Sequence, residues 1–178
     1  MKRNDFINMA WMQILWFAAI IGAASGLTWP ALAILVVFAG WQLQPMRRQV
    51  SDIPLLPVAV LLGMMLDSSW IRLGWIEFSN PGPVSGVAPL WILALWAGLT
   101  LTLNHSLHWL QNRLLLAGCM AGLVSPLSYL GAQRLGALTI ISDSWDWLFG
   151  LAFSWALALP FLLWLAGHLR EIKGKEAS

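Results

Sequence analysis

Charge is what this chain has least of. Only 10% of its 178 residues are Asp, Glu, Lys or Arg, against 59% hydrophobic, and the mean hydropathy is +0.72. A soluble fold, which needs a charged surface to stay dispersed, is excluded. Cysteine is equally scarce: the single Cys119 lies in an apolar run, can form neither an intramolecular disulfide nor a metal cluster, and reads as a small buried hydrophobe. There is no Gly-rich phosphate cradle, no G-x-S-x-G elbow, no H-E-x-x-H pair, no heptad run and no extended low-complexity segment, so no chemistry announces itself by motif. The net charge of +2, with a pI near 9.1, is too small and too spread out for nucleic acid.

What the chain does have is six apolar stretches, at about 6–24, 29–43, 53–71, 89–110, 114–130 and 147–169. Each approaches the roughly 20 residues a helix needs to cross a bilayer, the second being the shortest. Lys2 and Arg3 before the first stretch, and Ala23, Ala24 and Ser25 after it, also fit a cleavable signal peptide. The spans that follow favour a retained first helix. Backbone groups in lipid must be satisfied within each segment, and the alternation of a transmembrane barrel is missing. The expected fold is therefore all-α: a polytopic bundle of six transmembrane helices in one domain, residues 1–178.

Orientation follows from the basic residues. With a cytoplasmic amino terminus, the inner flanks hold Lys2, Arg3, Arg47, Arg48, Arg113, Arg170, Lys173 and Lys175, and the outer flanks only Arg72 and Arg134. The positive-inside rule then puts both termini in the cytoplasm and the chain in the cell inner membrane, multi-pass. Ala18, Gly22 and Gly26, and Gly118 and Gly122, recur at four-residue spacing and predict close helix packing within the monomer, with packing against another subunit as the alternative. Of thirteen tryptophans, Trp29, Trp41, Trp70, Trp75, Trp91, Trp109, Trp145 and Trp147 fall near span ends, as interfacial anchors do. Trp16, Trp96 and Trp155 fall deeper, where each N–H needs an acceptor.

Polar residues inside such spans are costly and mark candidate sites. On the outer side, Asp67 could meet Arg72, Tyr129 and Arg134 as a ligand-binding cluster, or else form a structural ion pair at the membrane edge. Ser125 and Pro126, a turn before Tyr129, predict a kink that frees a carbonyl. On the inner side, Thr100, Thr102, Asn104, His105, Ser106 and His108 crowd the end of the fourth span, and Asn104, His105, His108 and His168 form a polar seam, with His105 and His108 three apart on one helical face and His168 at similar depth. Three converging imidazoles would be a metal site; solvated or structural histidines are the plainer reading, and neither a metal nor a cofactor is implied. At about 1.5 Å per residue the two clusters stand on the order of 20 Å apart in depth, too far for one active site. The connection 72–87, with Trp75, Phe78, Asn80, Pro81, Gly82 and Pro83, reads as a loop with aromatic anchors, or as a lid lying on the outer surface.

Several segments taken in order carry a resemblance: Gly63-Met-Met-Leu-Asp67, Pro89-Leu-Trp91, Leu103-Asn104-His105-Ser106-Leu107, and Ser125-Pro126-Leu127-Ser128-Tyr129 running on to Gly136. Together they resemble a bacterial inner-membrane family classed as domain of unknown function 2878, over nearly the whole chain, with Ser125 where that family leads one to expect Gly. The resemblance implies an inner-membrane protein of bacteria encoded near fatty-acid-modifying enzymes. The leading expectation is a non-catalytic lipid- or amphiphile-binding component that supports membrane lipid modification. Its partners would be membrane lipid and another membrane protein or lipid-modifying enzyme. The alternatives are a small-molecule transporter or its substrate-binding subunit, and an intramembrane enzyme using Asn104, His105 and His108.

Overall fold

A computed structural model of the chain describes residues 3–176, with side chains as far as 172. Lys2, and the side chains of Lys173 and Lys175, which entered the charge pattern, lie outside the described residues. Six helices follow in order: α1 (Arg3–Ala24), α2 (Trp29–Gln42), α3 (Asp52–Arg72), α4 (Leu90–Leu103), α5 (Leu114–Arg134) and α6 (Asp146–Glu176). Four of them, α1, α3, α5 and α6, are long and apolar enough to cross a membrane. The other two, α2 and α4, have 14 residues each, which is about 21 Å of helix against a hydrocarbon core of roughly 30 Å.

The short α4 is the hub. It packs on α1, α2, α3 and α6, while α5 packs mainly on α6. Ten of its 14 residues are buried, so most of the helix is enclosed by its neighbours. Close approach comes from glycine: Gly98 seats Leu15 of α1, and Gly63 of α3 seats the Trp96 ring of α4. Between α5 and α6, a β-carbon at Gly118 would lie 2.8 Å from the Ala156 carbonyl oxygen, and one at Gly122 would lie 3.2 Å from that of Ala152. Pro160 lacks the N–H that would have bonded Ala156 within α6. That freed carbonyl is the one Gly118 receives. The small residues of α5 thus pack inside the monomer, whereas Gly26 at the end of α1 has open space around it.

Three helices end alike. After α1, α3 and α5, Gly26, Gly74 and Gly136 adopt φ of 73°, 69° and 83°, and the next N–H reaches back to Gly22, Trp70 and Ala132 respectively. These are Schellman caps, which need a left-handed residue. Following the caps of α3 and α5, the chain enters β1 (Ile76–Phe78) and β2 (Leu138–Ile140), an antiparallel pair in the register Ile76 to Ile140 and Phe78 to Leu138.

That pair revises the expectation for the connection 72–87. Instead of a loop with aromatic anchors, or a lid, Ile76 and Phe78 form a buried strand, Phe78 sits edge-on against Trp91, and Trp75 packs on Gly150 of α6. The fourth helix also stops at Leu103, not at 110: the polar run after it bonds sideways to other helices, and the chain turns through Leu107 N–H to Thr102 C=O into a single 3-10 turn, His108–Leu110. The fifth continues past 130 to Arg134. Trp70 and Trp91 are core residues, not interfacial anchors, whereas Trp29, Trp109 and Trp145 are exposed. Cys119 is exposed as well, on the outside of α5.

Candidate functional site

The helices alternate, so one end of the bundle gathers the starts of α1, α3 and α5 with the ends of α2, α4 and α6. Polar side chains from five of those termini interlock there. Asp52, at the start of α3, accepts hydrogen bonds from the Gln49 backbone N–H at 2.8 Å and the Asn104 amide at 2.8 Å. The same amide donates to Ser51 Oγ at 2.9 Å, and Gln111 donates to Asn104 Oδ1 at 3.1 Å. Asn8 of α1 donates to the Leu101 carbonyl and to Gln42 Oε1, and accepts from the Ser106 hydroxyl at 2.6 Å. Because the Leu101 carbonyl can only accept, it orients Asn8, which orients Gln42, which aims its amide N–H at His105 Nε2, 3.0 Å away. Asp52 Oδ2 lies 2.9 Å from that same nitrogen. His105 Nε2 can donate to Asp52 or accept from Gln42, one at a time.

The seam expected from the sequence thus exists in part. Asn104 and His105 lie inside it. His108 stands at its edge, 3.0 Å from Gln111 and 3.3 Å from Arg170. His168 is elsewhere, stacked on Trp164 at 5.3 Å. The three histidines do not converge: His105 and His108 sit in a turn, where three-residue spacing no longer means a shared face. Among the described residues no three His, Cys, Asp or Glu side chains are grouped to hold a metal. Ser106, part of the polar run at the end of the fourth span, also lies inside it; Asn8, Gln42, Ser51, Asp52 and Gln111 were missed. The available signal was an Asn, a Gln and an Asp interrupting otherwise apolar runs near their ends.

Deeper in the bundle the fully buried Asp67 accepts from the Tyr129 hydroxyl at 2.7 Å and the Trp96 indole N–H at 2.8 Å. Gly63, one turn before Asp67, makes room for the Trp96 ring that reaches it. Of the expected outer cluster, only Asp67 and Tyr129 come together. Arg72 turns to the Gly86 carbonyl at 3.2 Å, and Arg134 is exposed with no hydrogen bond or ion pair among the described residues. Asp67 lies on the order of 20 Å along α3 from Asp52, so the two polar regions are separate. Trp96 is the partner the sequence reading omitted, although it had marked that indole as needing an acceptor.

Beside Tyr129 and Trp96 lies a cavity of about 320 Å³, between α1, α4, α5 and α6. Along α5 its wall runs from Met120 to Ala132, about 18 Å at 1.5 Å per residue. Met120 and Val124 line it yet are 38% and 57% exposed on the bundle's flank, so it reaches the outer surface beside α5. Trp16 bridges α1 to α5 at one end by donating to Ser128 Oγ at 3.1 Å. Trp155 lines another wall, stacked on Trp96 at 4.6 Å. Among the described residues no charged side chain faces this space. Its volume falls at the lower end of the range for small-molecule pockets, and its lining is almost wholly apolar.

Six helices, four of them long and apolar enough to cross a membrane, and an apolar cavity opening on the bundle's flank together define the build of a helical membrane protein. Within that class the sequence matches, over residues 5–161, the family described as Protein of unknown function (DUF2878), and the chain belongs to that family. No curated protein and no solved structure matches it.

Proposed function

We propose that this chain is a multi-pass protein of the cell inner membrane, crossing it six times with both termini cytoplasmic, and that it binds a lipid or other amphiphile without transforming it, in support of a lipid-modifying partner. The cavity carries the reading. A space of about 320 Å³ exceeds the roughly 150 Å³ that accommodates benzene in an apolar core and falls at the lower end of ligand pockets, roughly 300–1,000 Å³. Apolar lining makes its occupant apolar, and its meeting with the flank at Met120 and Val124 gives access from the acyl region. The charge distribution supports the orientation, with Arg3, Arg47, Arg48, Arg113 and Arg170 at the end where the amino terminus lies and Arg72 and Arg134 at the other. The four neighbours of α4 support a crossing by that short helix, since they shield its ends.

Labelling with a photoreactive fatty-acyl probe tests the binding. Cross-links map to α5 residues between Met120 and Ala132, and Ala121→Phe, which puts a phenyl ring into the cavity, lowers them at least tenfold. Labelling confined to the exposed faces of α3 or α6 overturns the proposal. Reporter fusions after Arg47 and Arg113 test the topology: both report the cytoplasm, and opposite sides overturn the six-crossing arrangement.

A further inference from the structure

The cavity differs from a plain apolar void in one respect. Among the described residues only two buried side-chain polar atoms have no hydrogen-bond partner, Ser125 Oγ and Trp155 Nε1. Both residues line this cavity. Ser125 is 7% exposed, midway along α5. The Trp155 N–H lies beside the Tyr129 hydroxyl but makes no hydrogen bond to it of acceptable geometry. An orphaned polar group inside a membrane protein is costly, and here two orphans face one space. A serine hydroxyl donates or accepts, whereas an indole N–H only donates; the complement of both is an acceptor oxygen.

Charge narrows the ligand further. Among the described residues no cation lines the cavity; Tyr129 does, and behind it stands the Asp67 carboxyl, whose two oxygens are already engaged. A carboxylate or phosphate head drawn to this depth would meet no counter-charge. The volume, about 320 Å³, is too small for two long chains. Resting on the lipid-binding role proposed above, we infer that the occupant is a neutral single-chain amphiphile whose hydroxyl or carbonyl oxygen is held at mid-depth by Ser125 and Trp155. The apolar wall from Met120 to Ala132 takes the chain.

Equilibrium binding to the full chain in a non-ionic detergent tests this with four probes of matched chain length: hexadecanol, methyl hexadecanoate, hexadecane, and hexadecanoate at alkaline pH. The alcohol or the ester binds about fivefold tighter than the alkane, as one or two hydrogen bonds predict, and hexadecanoate binds weakest. Ser125→Ala reduces that preference to about twofold, leaves hexadecane unchanged and raises the thermal midpoint of the ligand-free protein, because it removes an unpaired hydroxyl. Trp155→Phe gives the same loss of preference by an independent route. Equal binding of alcohol, ester and alkane, unaltered in both variants, overturns the oxygen-recognition inference and leaves the lipid-binding role standing. Tightest binding of hexadecanoate overturns the neutrality of the ligand. No binding of any probe overturns both readings.

Discussion

The cluster around Asp52 and the cavity around Ser125 are both polar places in an apolar molecule, and they treat their polar atoms in opposite ways. At the Asp52 end, Asn8, Gln42, Ser51, Asp52, Asn104 and Ser106 are all buried and all bonded to protein. At the cavity, Ser125 Oγ and Trp155 Nε1 make no hydrogen bond. A saturated network holds helices together and offers a ligand little, since any newcomer must displace a bond already made. Unfilled donors beside empty space are a recognition surface. Histidine and asparagine therefore make the conspicuous cluster in the sequence, and one serine in a helix makes the better candidate for binding.

Substitutions at the two places separate these behaviours. The largest effect belongs to Asp52→Ala: the Gln49 N–H and the Asn104 amide lose an acceptor and His105 loses the carboxylate beside it, and unfolding in detergent shows a loss of about 3–5 kcal/mol, with probe binding unchanged in whatever fraction stays folded. Next is Asp67→Leu, which orphans the Tyr129 hydroxyl and the Trp96 N–H for about 2–4 kcal/mol. Asp67→Asn costs under about 1.5 kcal/mol, because an amide can accept from Trp96 and donate to the Tyr129 oxygen; equal losses for Leu and Asn refute this account of the wall. Trp16→Phe removes only the bond to Ser128, worth about 0.5–1.5 kcal/mol, and speeds probe exchange by loosening the seam between α1 and α5. The smallest change has the opposite sign: Ser125→Ala stabilises the empty protein by up to about 1 kcal/mol. A destabilised Ser125→Ala protein erases the contrast between the two regions.

Much of this was legible in the sequence, and the misses share a cause. Apolar run length located all six helices, because lipid or a protein core leaves a backbone no alternative to bonding itself. Run length failed where apolarity and helix part company. Thr100 to His108 looked like a helix end with a polar face, yet Asn104 and Ser106 bond to α1 and α3 and break the helix after Leu103. Arg72 looked like the natural partner of Asp67, five residues before it. On a helix that spacing points the two side chains to different faces, and the buried carboxyl takes neutral donors from α4 and α5 instead. Trp70 and Trp91 sat at span ends and looked interfacial. Burial by neighbouring helices, invisible along a single segment, made them core.

Hydropathy and the placement of arginine and glycine determined by themselves that this is a chain of apolar helices with capped turns between them, because those properties act within about 20 residues of the chain. Which polar groups meet, and which are left without partners, was decided only when α1, α4, α5 and α6 packed. A hydrogen bond requires two atoms within about 3 Å, and Asn8 with Ser106, or Asp67 with Tyr129, reach that distance only through the fold. The unpaired hydroxyl of Ser125 is likewise a property of the assembled walls around it.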